Sequence, residues 1–225
     1  MASQPHSYNQ LPYEVTPFEK RRIPLPLVSG LEQIVAGVGL LVCLPMLLAV
    51  CFVAWLLSGR SPLVAHRRIG RNGIPIWVYK VRTMWESRPK HGPFLLVEYL
   101  RGSIVPECKC PFDTRITSRF AVFCRKYSID ELPQLWSVLA GEMSMVGPRP
   151  MTELELKRHY GTDMRRILQF KPGLTGLWQI RGRSTLTYRQ RRRLDIFMLD
   201  KWSYRLYMSI LLRSVPKVLA GENAW

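Results

Sequence analysis

The chain has 225 residues, with 33 Lys and Arg against 16 Asp and Glu and a formal net charge of +17. That length fits one domain, or one domain with an anchor, and the charge asks for an anionic partner: nucleic acid, lipid headgroups or phosphorylated substrates. A hydrophobic content of 47% argues against a simple nucleic-acid binder. The cysteines (Cys43, Cys51, Cys108, Cys110 and Cys124) offer no second pair at zinc-ligand spacing and read as reduced thiols of a cytosol-facing protein.

Residues 1–30 form a lead-in rich in Pro, Gln and Ser. It lacks the apolar core and cleavage site of a secretory signal and is expected to stay on the chain, poorly ordered. The run Ile34–Leu57 carries no charge and as a helix would reach about 36 Å, enough for a hydrocarbon layer of about 30 Å. Pro45 at its middle should break it. Lys20, Arg21 and Arg22 precede it, and Arg60, Arg67, Arg68 and Arg71 follow. Basic residues favour the cytoplasm, so charge on both sides speaks against a straight crossing. The expected arrangement is a membrane helix over 31–59 that dips in, breaks at Pro45 and returns, ahead of a cytoplasm-facing domain over 60–225.

Leu63–Met84 reads as a β-hairpin turning at Asn72-Gly73, with Ile74, Ile76 and Val78 alternating on its second strand. It would bring Arg67, Arg68, Lys80 and Arg82 together, either as a solvated or headgroup-binding edge or as part of a site. Trp85–Phe112, punctuated by prolines, is expected to be a loop or short-helix insert. Thr152–Gln169 has helical composition, with a capping box at Thr152 and Glu155. The glycines of Lys171–Ser184 suit either close approach to a ligand or unusual dihedral angles. Tyr188–Trp225 mixes Arg with Trp, Tyr and Met, as amphipathic helices at a membrane interface do. The fold class is therefore mainly α with a small β-hairpin, monotopic at the membrane.

The most informative stretch is Arg125–Pro150, RKYSIDELPQLWSVLAGEMSMVGPRP. Pro133 is tolerated in the first turn of a helix, which places a helix start near Asp130 and both Asp130 and Glu131 at its positive end. Neighbouring carboxylates cannot act as acid and base across one bond. They can divide labour, one attacking and the other holding a divalent cation, if Lys and Arg offset the phosphate charge. Arg68, Lys80, Arg82, Arg125 and Arg149 are the candidates. The competing reading makes Ser128 and Glu131 a capping box with Asp130 complementing the dipole. Residue types alone leave both open.

Ser128–Trp136 and Gly141–Pro150 resemble the signature of bacterial sugar transferases, the polyprenyl-phosphate hexose-1-phosphate transferases or small monotopic phosphoglycosyl transferases. The likeness extends through Arg68–Gly73, Tyr79–Met84, Asp113–Thr117, Lys171–Gln179, Leu194-Asp195 and Trp202-Ser203. It is nearest to the short exopolysaccharide-initiating type. The resemblance implies transfer of hexose 1-phosphate from a UDP-hexose to undecaprenyl phosphate with release of UMP. Asp130 would be the nucleophile and Glu131 the Mg²⁺ ligand. Arg68, Lys80, Arg125 and Arg149 would bind phosphate, with Pro150 shaping the last of these and Asp195 in a supporting place. It also implies a re-entrant helix broken at Ser-Pro and an active site on the cytoplasmic face of the bacterial inner membrane. A second copy of the chain and glycosyltransferases are further expected partners; nucleic acid is not. This chain has Leu44 where that Ser would stand, Val81 for a Phe and Ile129 for a Leu. It has Tyr207 where an Asp is common after Trp-Ser, so that acid is expected to be lost. The alternatives are an inactive scaffold of a glycan-assembly complex, or a basic membrane-tethered binding protein.

Overall fold

The computed structural model describes residues 26–85, 95–100, 116, 118–182 and 185–221, with side chains from residue 28 onward. Lys20, Arg21, Arg22, Cys108, Cys110, most of the expected insert and the Asp113–Arg115 part of its motif lie outside them. One long helix leads into a small sheet, and short helices pack around the two.

Helix α1 spans Pro26–Ser58, 33 residues with Pro45 inside, and corresponds to a length of about 50 Å. It is not interrupted at Pro45, where a break was expected. A proline forfeits one backbone hydrogen bond, and a helix can absorb that loss by bending. Only a stripe packs inward: Glu32, Ala36, Leu47, Val50, Ala54 and Ser58 are buried, while Leu31, Ile34, Val38, Leu41, Val42, Leu48, Phe52 and Leu56 are exposed. A helix apolar on all sides yet covered on one is unlike the amphipathic helix of a water-soluble domain.

The stripe holds the rest of the chain at both ends of α1. Near its start, Glu32 Oε1 accepts hydrogen bonds from Ser144 Oγ (2.5 Å), the Met145 amide (2.8 Å) and the Tyr207 hydroxyl (2.6 Å). Gln33 Nε2 donates to the Leu139 carbonyl at 3.1 Å. Near its end, Leu47, Val50 and Ala54 cluster with Val81 and Cys124. Tyr207 is thus not a simple loss of an acid: its hydroxyl meets a carboxylate supplied by α1.

Strands β1 (Leu63–Ile69) and β2 (Pro75–Val81) form the expected hairpin, in register from Leu63↔Val81 to Ile69↔Pro75. The turn works because Asn72 (φ 56°) and Gly73 (φ 79°) adopt the left-handed region that Asn and Gly tolerate. A third strand, β3 (Val97–Leu100), pairs parallel with β1 inside the stretch expected to be a loop or short helix. Tyr99 packs edge-on against Trp77, with ring centroids 4.9 Å apart.

Helix α2 (Arg119–Lys126), capped by Ser118, precedes the carboxylates. A 3₁₀ turn over Ile129–Gln134 then runs into α3, Leu135–Leu139. The expected helix start near Asp130 is therefore displaced: the α-helix begins two residues after Pro133, and the carboxylates sit on the tighter turn before it. Lacking an N–H, Pro133 cannot continue an α-helical ladder upstream of itself. Helix α3 packs on α1, where Gly37 and Gly39 face Leu139 and Leu135.

Strand β4 (Ser144–Val146) pairs parallel with β5 (Gly173–Thr175). Between them, the helix expected over 152–169 is divided into α4 (Glu153–His159) and α5 (Met164–Ile167), because Gly161 adopts φ 48°. The capping box of Thr152 and Glu155 is present. After β5 come α6 (Leu177–Arg181), α7 (Tyr188–Asp200) and α8 (Tyr204–Ala220). Helix α8 buries Tyr207 and Ile210 but exposes Tyr204, Met208, Leu212, Val215 and Leu219. Spaced three or four apart, these form one apolar stripe, as expected for an interfacial helix.

Candidate active site

Geometry removes one of the two open readings of Ser128-x-x-Glu131. Ser128 stands at φ 55° and its side chain makes no cap hydrogen bond. Glu131 instead turns to β2, where Lys80 Nζ donates to its Oε1 at 2.6 Å, and Arg149 Nη1 lies 3.9 Å from the same oxygen. The capping alternative falls.

Asp130 is buried at 7% exposure. Loss of water pushes its carboxyl up to about 6, with Glu131 adding in the same direction and Lys80 and Arg125 opposing. It is a poorly hydrated carboxyl for which burial favours the neutral form and Lys80 and Arg125 favour the charged one. Helix α3 has only five residues, so burial and these side chains, more than a helix dipole, set the electrostatics here.

Strand alternation aligns the basic groups. Paired residues share a face, so Arg68, His66 and Lys80 lie on one side of the hairpin with Val64, Ile76 and Val78. Arg67, paired with Trp77, faces the other way, contrary to its expected grouping. His66 escaped notice in the sequence, although its parity with Arg68 marks it. Burial, with Arg68, Lys80 and Arg82 nearby, lowers its pKa to about 4, so it stands as a neutral imidazole among cations. Arg125 reaches Asp130 electrostatically from the last turn of α2.

Arg82 departs from its expected place among the phosphate ligands. Its Nε donates to the Ser61 carbonyl at 2.7 Å and its guanidinium pairs with Glu98. At 6% exposure it ties β3 to the segment before β1.

Arg149 and Pro150 follow β4, whose position depends on glycine. A Cβ on Gly147 would lie 2.5 Å from the Lys171 carbonyl oxygen, and one on Gly173 would collide with the Gly147 amide nitrogen. These two glycines serve close approach of one backbone to another; for Gly173 the sequence left ligand approach and dihedral demands both open. Gly173→Ala should cost about 1–3 kcal/mol by overpacking and displace Arg149. Thermal unfolding together with turnover checks this; unchanged values for both would show that the β4–β5 approach does not position Arg149.

Asp195 is fully buried and is engaged away from the carboxylate pair. The Tyr160 hydroxyl donates to its Oδ2 at 2.7 Å, and Oδ1 has no hydrogen-bond partner among the described residues. Burial raises its carboxyl from 3.8 to about 7, against the Tyr160 hydrogen bond and Arg191. A carboxyl that holds its proton more tightly when folded makes stability fall as pH rises from about 4 to about 7, with the loss persisting above; a shift of that size corresponds to roughly 4 kcal/mol. Asp195→Asn should flatten the unfolding-temperature profile across this range. Parallel profiles for the two proteins would remove Asp195 as the source.

An anchored fold that seats a carboxylate pair within a ring of Lys and Arg has the make-up of a phosphate-handling transferase site. Comparison with known proteins gives the family. The family model for bacterial sugar transferases matches residues 27–221. The chain is 39% identical over 174 residues to the UDP-galactose-lipid carrier transferase of Erwinia amylovora, covering 75% of this chain and 35% of that protein. It is 37% identical over 202 residues to the exopolysaccharide production protein ExoY of Rhizobium meliloti (strain 1021), covering 86% of each. It is 34% identical over 216 residues to the UDP-glucose:undecaprenyl-phosphate glucose-1-phosphate transferase of Caulobacter vibrioides, covering 90% of this chain and 75% of that one. The chain thus spans about a third of the length of the Erwinia relative and most of the other two. It belongs to the bacterial sugar transferase family, a family of sugar-transferring enzymes.

Proposed function

We propose that the protein transfers hexose 1-phosphate from a UDP-hexose to undecaprenyl phosphate, releasing UMP, as the first membrane step of exopolysaccharide or other surface-glycan assembly. The observation that carries the reading is Asp130, buried beside Glu131 and faced by Lys80 and Arg125. The Erwinia and Caulobacter relatives, a UDP-galactose-lipid carrier transferase and a UDP-glucose:undecaprenyl-phosphate glucose-1-phosphate transferase, support the donor and acceptor classes.

In the first half-reaction an Asp130 oxygen bonds the sugar-bearing phosphorus. The bond from that phosphorus to the bridging oxygen breaks, and UMP leaves with the electron pair. In the second, a phosphate oxygen of the lipid attacks the same phosphorus and the bond to Asp130 breaks, restoring the carboxylate. Lys80, Arg125 and Arg149 offset phosphate charge, and desolvation leaves Asp130 without a hydration shell to shed.

Among the described residues no cluster of three or more His, Cys, Asp or Glu side chains could hold a metal. A carboxylate pair fits Mg²⁺ nonetheless, because that ion keeps several waters and binds through one or two carboxylates plus substrate phosphates. Glu131 would hold it, and when bound it would neutralise phosphate oxygens.

Membrane association rests on the uncovered face of α1 and the apolar stripe of α8. Because both ends of α1 contact the same folded body, we read the chain as monotopic. Its helix enters from and stays with one side, here the cytoplasmic face of the inner membrane, rather than crossing.

The full chain in detergent or nanodiscs, given Mg²⁺, undecaprenyl phosphate and a panel of UDP-hexoses, should release UMP with at least one sugar. No release with any would turn the reading to a scaffold or a lipid-binding protein.

A further inference from the structure

The cationic surface continues beyond the carboxylate pair. Arg149, 3.9 Å from Glu131 on one side, also lies over the ring of Trp178, 5.8 Å from its centroid. Arg191, from α7, lies over the same ring at 4.7 Å and over Tyr188 at 5.1 Å. Trp178 is only 3% exposed, so it is a fixed floor beneath two guanidinium groups. Arg149 and Arg191 repel each other, and Arg149 likewise repels Arg68.

Among the described residues, the acidic groups near this charge are largely engaged elsewhere. Arg191 makes no ion pair among the described residues, and its Nε is buried without a hydrogen-bond partner there. Glu155, the carboxylate facing Arg68 and Arg191, spends its Oε2 on the Thr152 amide and hydroxyl at 2.8 and 3.0 Å. Asp195, one turn along α7 from Arg191, is bound by Tyr160 and held toward its neutral form by burial. Two guanidinium groups on an aromatic floor, Arg149 reaching toward Glu131 and Arg191 with its Nε unpartnered among the described residues, are suited to a doubly charged phosphate.

We infer that Arg191, together with Arg149 over the face of Trp178, forms a second phosphate subsite beside the Asp130 site, which takes a phosphate monoester group. Resting on the reading above, this group belongs to the departing nucleotide or to the incoming lipid phosphate. Arg149 is shared between the subsites, so a diphosphate would place one phosphate at Asp130 and the next at Arg191.

Equilibrium binding to the full chain in nanodiscs tests this, using UMP alone and a short-chain polyprenyl phosphate alone, neither of which turns over by itself. Arg191→Gln should weaken at least one of them by about 10- to 100-fold, the range for losing a hydrogen bond to a charged group. Arg191→Lys, which keeps charge without the fork or the stacking, should fall between. Arg189→Gln, an exposed charge on the same helix, should leave both affinities and the unfolding temperature unchanged. Weakened UMP binding assigns the subsite to the leaving nucleotide, and weakened lipid-phosphate binding alone assigns it to the acceptor. Unaltered affinity for both in Arg191→Gln overturns the subsite while leaving the proposed function standing. If the unaltered protein binds neither ligand, the proposed function and the subsite fall together.

Discussion

Asp130→Asn is expected to lower turnover by roughly 10⁴-fold or more, the scale on which enzymes lose activity when a nucleophile is removed. An amide oxygen cannot form the phosphoryl ester that a carboxylate can, whereas its shape fits the same buried place. The unfolding temperature should move little. Asparagine relieves the cost of burying a charge, which raises the Asp130 pKa, while giving up the attraction of Lys80 and Arg125, and these changes offset. UMP affinity should persist, because the nucleotide's own phosphate is not the one attacked. A variant that kept substantial turnover would take the nucleophile's role from Asp130.

Glu131→Gln is expected to lower turnover by about 10²–10³-fold, in the range found when a preorganised charge partner is lost, and to shift the Mg²⁺ requirement. The neutral amide would bind the ion poorly and would also release Lys80, now held at 2.6 Å. The two variants should differ in kind. Glu131→Gln leaves a nucleophile that reacts slowly, whereas Asp130→Asn leaves none. Mg²⁺ titrations of residual activity check this; an unaltered half-saturating concentration in Glu131→Gln would place the ion elsewhere.

Much of this was legible in the sequence where local chemistry decides structure. Asn72-Gly73 announced the hairpin because few other residues take two successive left-handed dihedral angles. The Thr152–Glu155 capping box and the apolar run of α1 were local in the same sense. The carboxylate pair could be seen but not interpreted: whether Glu131 capped a helix or faced cations depended on Lys80, 51 positions away. Arg82 was misplaced because its neighbour Lys80 is a strand residue, whereas Arg82 lies beyond the end of β2 at Val81 and turns toward Ser61 and Glu98. Glu32 gave no local sign of its role, since its partners are 112 to 175 positions distant. Arg191 was hidden among Arg189, Arg192 and Arg193, and only Trp178 beneath it sets it apart. Strand β3 has only four residues, in a stretch whose prolines and glycines read as a loop. Its pairing comes from β1, not from its own pattern.

The most direct test of the division of labour between the carboxylates is intact-protein mass spectrometry after the purified chain meets Mg²⁺ and an accepted UDP-hexose without lipid acceptor. The expected result is an added mass of one hexose phosphate, mapped by proteolysis to Asp130, accompanied by UMP and discharged when polyprenyl phosphate is supplied. The same adduct on the Asp130→Asn protein, or lipid-dependent turnover of the unaltered protein with no adduct in its absence, would contradict it.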